Sequence, residues 1–350
     1  MIYLILRWAP NPNRRKLPKP KQTVRPKKGK TINQDPRLSV MTWNIGFGGG
    51  EKGNPTRLYS QAEVIANLSE IEESIKTQDP DILLLQEVDM PSKRTGMIDE
   101  YKHLMDNLDF RYGCFVTTWK CNHVPFPFTL EMTNHLGKIN SGQAILSKMP
   151  ITDCKEIRLP QPEHNSWVEA HFAWWQNHVN PIYRVLKSAY NRFYMHRTIQ
   201  IATIDIGLDN HVSVLNCHLE AFDQQNREDQ ADILYKTIAS IQGPLIVGGD
   251  FNTLPPDATK KRGFSDEDID FTTDQTMEKI MQTKELRDTL TDSKLGNNES
   301  ETFTFPAYAP TRRLDYVLER GFMLVPPEAG VIHTANGSDH LPITANIIMK

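Results

Sequence analysis

Six short polar clusters stand where apolar runs end: Thr42-Trp43-Asn44, Gln86-Glu87, Asn216-Cys217-His218, Gly249-Asp250-Phe251-Asn252, Arg313-Leu314-Asp315-Tyr316 and Ser338-Asp339-His340. Acids, amides and histidines delivered by a rigid sheet suit a divalent cation and a phosphate. Hydrolysis of a phosphodiester needs charge neutralised on the phosphate, an activated water and help for the leaving oxygen. Mg²⁺ meets the first need through carboxylate and water oxygens, often with only one or two protein carboxylates. Glu87, directly after a buried apolar run, is the best ligand candidate, although a lone Glu there is commonly a solvated acid. Gly248-Gly249-Asp250-Phe251-Asn252 is the most specific local signal. Its glycines let the backbone turn sharply, and the one-residue spacing sends Asp250 and Asn252 to the same side. Asp250 then serves as a base or water-orienting group, and the Asn252 amide donates to a phosphoryl oxygen. His340 can act as general base on water when a carboxylate holds its tautomer. Lys93 and Arg94, just past Gln86-Glu87-Val88-Asp89, are placed to clamp a phosphate; a solvated charge pair is the plainer alternative.

The elements that must hold these groups follow from periodicity. Leu38 to Asn44 reads as a strand ended by Gly46 and Gly48-Gly49-Gly50. Ser60 and Glu63 form a capping box, and Val64, Leu68, Ile71 and Ile75 recur at helical spacing to about Gln78. Asp79-Pro80-Asp81 stops that helix, and Ile82–Leu85 is a short buried strand. Further strands are expected at 144–147, 198–206, 213–216, 245–247, 315–318 and 343–348, with helices over 224–241 and 276–286. Strands with interspersed helices imply two packed sheets with helices outside.

A chain of 350 residues with 39% hydrophobic and 24% charged residues fits a soluble globular protein. The net charge of -3 is uneven. Residues 1–34 hold ten basic residues, five prolines and no acid, and are expected to stay disordered. The remaining body is acidic, which argues against a broad groove for duplex nucleic acid. The basic stretch offers weak contact to an anionic membrane or to nucleic acid instead. Cys114, Cys121, Cys154 and Cys217 show no framework spacing, so buried free thiols and a cytoplasmic location, at most peripherally membrane-associated, are the expectation. Trp167 to Tyr194 gathers eight aromatic residues, a mixture suited to a membrane interface or to stacking on bases; an insertion packed on its own domain is the alternative.

In this order the clusters resemble the endonuclease/exonuclease/phosphatase superfamily, the pancreatic-DNase-like metal-dependent phosphoesterases, from about Ser39 to the C-terminus. The resemblance implies an α/β (α+β) fold, a four-layered α/β/β/α sandwich of two mainly antiparallel sheets with helices outside. It implies a catalytic domain over 37–350, a tail over 1–36 and an aromatic-rich insertion at about 160–197. Mg²⁺, for which Mn²⁺ can substitute, would be held by Glu87 and Asp339 with Asn44 beside them. Asp315 would orient His340. His218 would stabilise the transition state or protonate the leaving oxygen, as in the DNase-like, sphingomyelinase-like and inositol-phosphatase-like branches and unlike the abasic-site branch. Asn140, before a strand that lies near the site in relatives, would join Arg94 in touching substrate. Where some relatives carry an acid two residues after the first Asn, this chain has Gly46, so one potential metal contact is absent. The expected activity is Mg²⁺-dependent hydrolysis of a phosphodiester in nucleic acid, a phospholipid headgroup or a soluble phosphoester, with no obligate protein partner. The alternative is a catalytically silent binding protein of the same fold, tethered by its basic tail.

Overall fold

The computed structural model describes residues 19–25, 37–54, 56–124, 132–162, 195–283, 285–293 and 298–350. In chain order the strands are β1 (Lys21–Val24), β2 (Arg37–Asn44), β3 (Ile82–Asp89), β4 (Tyr112–Val124), β5 (Gly137–Ser147), β6 (Ile151–Arg158), β7 (Thr198–Gly207), β8 (Asn210–His218), β9 (Leu245–Asp250), β10 (Arg287–Asp288), β11 (Asp315–Arg320), β12 (Phe322–Val331) and β13 (Ile343–Met349). The helices are α1 (Gln61–Gln78), α2 (Glu100–Asn107), α3 (Gln224–Ser240), α4 (Thr276–Ile280) and α5 (Thr289–Asp292). One sheet runs β1-β4-β5-β3-β2-β13-β12 and the other β10-β11-β9-β8-β7-β6. Each contains one parallel pair, β2 with β3 and β8 with β9, and is otherwise antiparallel.

Period-two alternation sorts the side chains into layers. Met41, Trp43, Leu83 and Leu85 face outward and meet Val64, Leu68 and Ile71 of α1 and Leu104 of α2. Leu215, Cys217, Val247 and Tyr316 face the opposite way and meet Ala231, Leu234 and Ile238 of α3 and Ile280 of α4. Between the sheets pack Val40, Ile82, Leu84, Val214, Ile246, Val317 and Ile343. This is the expected helix–sheet–sheet–helix order. α1 starts where Ser60 N–H donates to Glu63 Oε2 at 2.8 Å and Glu63 N–H donates to Ser60 Oγ at 3.3 Å, the capping box read from the sequence. It ends at Asp79, whose φ of 46° lets its N–H reach the Ile75 carbonyl.

Several expectations need correction. The helix foreseen over 276–286 stops at Ile280, because the chain turns so that Arg287 and Asp288 can pair with β11. Within the leading segment expected to lack structure, Lys21–Val24 instead pairs antiparallel with β4. That short stretch holds no proline, and Arg25 behind it bonds the Met105 carbonyl and Asp106. Two of the four cysteines are not free thiols: Cys114 of β4 and Cys154 of β6 form a disulfide that ties one sheet to the other. Their spacing of 40 residues carried no signal, since only the topology brings them together. Cys121 and Cys217 are free and buried. Residues 1–18 and 26–36 and the aromatic stretch Trp167–Tyr194 lie outside the described residues. No helix among the described residues is long and apolar enough to cross a membrane.

Candidate functional site

Following the inward-facing positions along the central strands leads from hydrocarbon to polar groups. β2 goes from Val40 to Thr42 and Asn44, β3 from Ile82 and Leu84 to Gln86, β8 from Val214 to Asn216 and His218, and β9 from Ile246 to Asp250. β11 enters at Asp315 before Val317. These ends meet. Asn44 Nδ2 donates to Asp250 Oδ2 at 3.0 Å. The same oxygen lies 3.5 Å from His218 Nε2 and 3.8 Å from His340 Nε2. His218 Nε2 also stands 3.8 Å from Glu87 Oε1, and His340 Nδ1 is 2.9 Å from Asp315 Oδ2. Asp250 is therefore the point where both sheets and the loop before β13 converge.

Local backbone explains how the groups get there. Glu87 sits at a register break between β3 and β5 with φ 54°, and Asn252 follows β9 with φ 51°. Positive φ is uncommon for side-chain-bearing residues and is held only where the surroundings impose it. Gly249 has φ 135°, and a Cβ there would lie 1.9 Å from the Cys217 carbonyl oxygen, so only glycine fits the strand next to β8. Gly46, with φ 52°, would bring a Cβ to 2.7 Å from Asp339 Oδ1. Glycine at this position is thus what makes room for Asp339. Ser338 Oγ donates to the Asn44 carbonyl at 2.6 Å, and Trp43 Nε1 donates to the His340 carbonyl at 2.8 Å, fastening the Ser338–His340 loop to β2.

Behind the site the sheets are joined by amides. Gln86 Nε2 donates to Asn216 Oδ1 at 2.7 Å, and Asn216 Nδ2 donates to the Leu85 and Ala144 carbonyls at 2.9 and 3.0 Å. Gln143 Nε2 donates to the Asn216 carbonyl at 2.7 Å, and Gln200 Nε2 to that of Cys114 at 2.8 Å. Sequence reading missed this network. Its signal was a Gln or Asn at inward-facing positions of strands that are otherwise apolar.

Burial drives the electrostatics. Glu87 is pushed up to about 7 by burial and by Asp339, against the pull of Arg197, His340 and Arg94. Burial likewise lifts Asp250 to about 6, with His340 opposing and Asp315 adding, and raises Asp339. Burial alone would lower His340, but Asp315, Asp250 and Asp339 together carry it up to about 10. His218 is drawn well down by burial, then by Arg197 and His340. Carboxylates so disfavoured as anions are suited to a cation. Side-chain donor atoms of Asp250, Asp315 and His340 lie within 4.8 Å of one another. That trio differs from the expected ligand set of Glu87, Asn44 and Asp339. Within the trio, His340 Nδ1 is already bonded to Asp315 Oδ2.

The remaining sequence candidates have contacts of their own. Arg94 is buried, with Nε and Nη2 each 2.9 Å from the Asp89 carboxylate and its guanidinium 3.3 Å from the Phe47 ring centroid. A guanidinium so engaged holds the loop after β3 rather than reaching outward, contrary to the expected phosphate clamp. Lys93 donates to the Thr133 and His135 carbonyls at 2.6 and 2.7 Å. Asn140 is tied through its backbone to Ser92, with Oδ1 buried and without a partner among the described residues. Asn252 lends one amide hydrogen to the Leu219 carbonyl at 3.0 Å. Arg197, unremarked in the sequence, lies beside Glu87 and His218.

No curated protein sequence matches the chain. Among solved structures, an endonuclease/exonuclease/phosphatase from Beutenbergia cavernae aligns at TM-score 0.60 and 19% identity, covering 89% of this chain and 72% of that one. D. rerio TDP2, complexed with a single strand DNA product, aligns at 0.55 and 14%, covering 89% and 99%. A mannosyl-6-phosphatase from Bacteroides thetaiotaomicron aligns at 0.54 and 13%, covering 89% and 100%. At such identities the likeness concerns the fold. The model of the Endonuclease/Exonuclease/phosphatase family matches residues 41–340, from the strand that carries Asn44 to His340 itself, and the chain belongs to that family.

Proposed function

We propose that the protein is a Mg²⁺-dependent phosphodiesterase in which Mn²⁺ can substitute. The observation that carries this reading is the convergence on Asp250 Oδ2 of Asn44 at 3.0 Å, His218 at 3.5 Å and His340 at 3.8 Å, with Glu87 against His218. Glu87 and Asp339 would hold the cation with Asn44 behind them, and a bound dication supplies charge neutralisation at a phosphoryl oxygen. Asp250, lifted to about 6, has the affinity for a proton that suits a base near neutral pH, and it orients the attacking water. His340, pinned by Asp315 and lifted to about 10, keeps its proton and donates toward the phosphoryl group. The sequence offered both Asp250 and His340 as bases; this reading keeps that role for Asp250 alone. His218, kept neutral, hydrogen-bonds the leaving oxygen. Asn252 and Asn140 offer further amide contacts to substrate.

The substrate is a phosphoester, with diesters of nucleic acid, lipid headgroups and soluble compounds all compatible with the same centre. One structural neighbour holds a single strand DNA product, in keeping with a nucleic-acid diester, and another is a mannosyl-6-phosphatase, which acts on a monoester. The basic residues within 1–34 would add salt-sensitive attraction to an anionic surface. The test is turnover of an aryl phosphodiester with added Mg²⁺, with chelator, and then across DNA, RNA, sphingomyelin and inositol phosphates. Metal-dependent turnover is expected. Undiminished rates in excess chelator would sink the mechanism, and no turnover on any member would leave a binding protein of the same fold.

A further inference from the structure

Arg197, one residue before β7, has no part in the chemistry above. It is only 6% exposed, and its Nε and Nη1 are buried without a hydrogen-bond partner among the described residues. Among the described residues the nearest carboxylate, Glu220 Oε2, is 3.8 Å from Nε, too far for a hydrogen bond. A guanidinium cannot shed its charge in a protein, so this is a permanent cation removed from water and incompletely paired. Such a group is costly unless an anion completes it. It shares a cavity of about 10 Å³ with Glu87, His218, Gln143 and Thr118. That is room for one water-sized or oxygen-sized guest. His218, on one wall of this cavity, connects it to the site, since its Nε2 is 3.5 Å from Asp250 Oδ2.

We propose that Arg197 is a substrate-binding residue, receiving a non-bridging oxygen of the phosphoryl group in this cavity with His218 on the adjoining wall. The proposal rests on the phosphoesterase reading given above. Four carboxylates (Glu87, Asp250, Asp315 and Asp339) would repel an approaching anion. A fixed cation on the phosphate side offsets that repulsion whether or not a metal is bound. A guanidinium suits the task because its planar fork matches phosphate oxygens. The competing role is a brace: Arg197 would simply hold Glu220, whose N–H donates to Gln230 and whose Oε1 accepts from Phe222 N–H.

The experiment titrates inorganic phosphate into wild type, Arg197→Gln, Arg197→Lys and Glu220→Gln by calorimetry, once in chelator and once in Mg²⁺. Melting curves and kcat and KM for an aryl phosphodiester accompany each titration. Arg197→Gln should weaken phosphate binding by about tenfold or more in both conditions and lower kcat/KM by roughly a hundredfold. Arg197→Lys should recover part of the loss, and Glu220→Gln should bind phosphate as wild type does. Phosphate affinity unchanged in Arg197→Gln, or the same loss in Glu220→Gln, would overturn the proposal in favour of the brace. If Arg197→Gln fails to fold, phosphate must raise the melting temperature of wild type more than that of Arg197→Lys; equal shifts reject the assignment. A wild type that binds phosphate through Arg197 and hydrolyses nothing would defeat the phosphodiesterase reading alone. Normal turnover in Arg197→Gln would defeat this inference alone.

Discussion

Between the two sheets, Val40, Ile82, Val214 and Ile246 pack side by side as hydrocarbon, while a few residues further along the same strands Asn44, Gln86, Asn216 and Asp250 bond to one another. Both regions are buried and both join sheet to sheet. They differ in what the joining specifies. Apolar contact is non-directional and tolerates small slips, whereas each amide or carboxylate demands a partner at a fixed distance and angle. Catalytic groups need the second kind of seam, because a buried polar group left unpaired costs about 1–3 kcal/mol. The apolar end supplies cohesion, and the polar end supplies position.

The strongest way to break the comparison is at its polar extreme. Asp250→Asn should lower turnover by roughly 10²–10⁴-fold, the usual worth of a positioned proton-transfer group. Its melting temperature should hold or rise, since a buried carboxylate is removed. Near-wild-type rates would mean that the centre is misassigned. Next, Asn216→Leu strands the partners of one buried amide and should cost about 3–5 kcal/mol while also depressing turnover. Ile246→Ala, a few residues away in the apolar seam, should cost about 2–5 kcal/mol by cavity formation yet leave kcat unchanged in whatever fraction is folded. Equal effects of the two on kcat would erase the distinction. Denaturant melts beside rates decide it.

Replacing Cys114 and Cys154 by Ala tests a third kind of join. Closing a loop of 40 residues is worth about 4 kcal/mol in the chain-entropy account, and measured losses commonly run about 2–4. Such bonds are commoner in oxidising surroundings than in reducing compartments. Labelling of free thiols in protein isolated without reductant would report two reactive sites after unfolding if the bond forms and four if it does not.

The smallest effect expected is that of pH on the metal-free fold. Glu87 at about 7 and His340 at about 10 are both raised by folding. A raised group contributes stability fully below its unfolded value and loses it as pH climbs through the folded value. His218, drawn down instead, is neutral in both states above about pH 7.5 and does not oppose the trend there. The melting temperature should therefore fall up to about pH 7 as Glu87 ionises and on to about pH 10 as His340 loses its proton; Glu87→Gln, and Mg²⁺ competing with protons for carboxylates, should flatten only the part below about pH 7. A flat metal-free profile would show that the site carboxylates are not crowded as described.

What could be read in advance follows from the same physics. The clusters at Asn44, Glu87, His218, Asp250 and His340 stood out because polar residues interrupt apolar strands at their ends, and Ser60 with Glu63 announced α1. β12 escaped notice because Pro326-Pro327 reads as a break, although the structure absorbs the pair at a register shift between Leu324 and Ala329. β6 escaped because Thr152, Asp153, Lys155 and Glu156 give an edge strand few apolar positions. Arg94 was misjudged because a sequence cannot say that Asp89 will claim its guanidinium. Arg197 was passed over because a charged residue at a strand entry looks like ordinary solvated surface until its burial is known.

The place of β13 sets when the molecule can become active. This late strand is inserted between β12 and β2, with Ile343 opposite Thr42, and the segment just before it carries Ser338, Asp339 and His340. Contacts so distant in sequence form slowly and late in folding, because a long loop must close before they are rewarded. A nascent chain emerging from the ribosome would hold Asn44, Glu87 and Asp250 long before it holds the loop that faces them. Any phosphoester-cleaving power would therefore switch on only after β13 has docked, and an unfinished copy would be silent rather than indiscriminate.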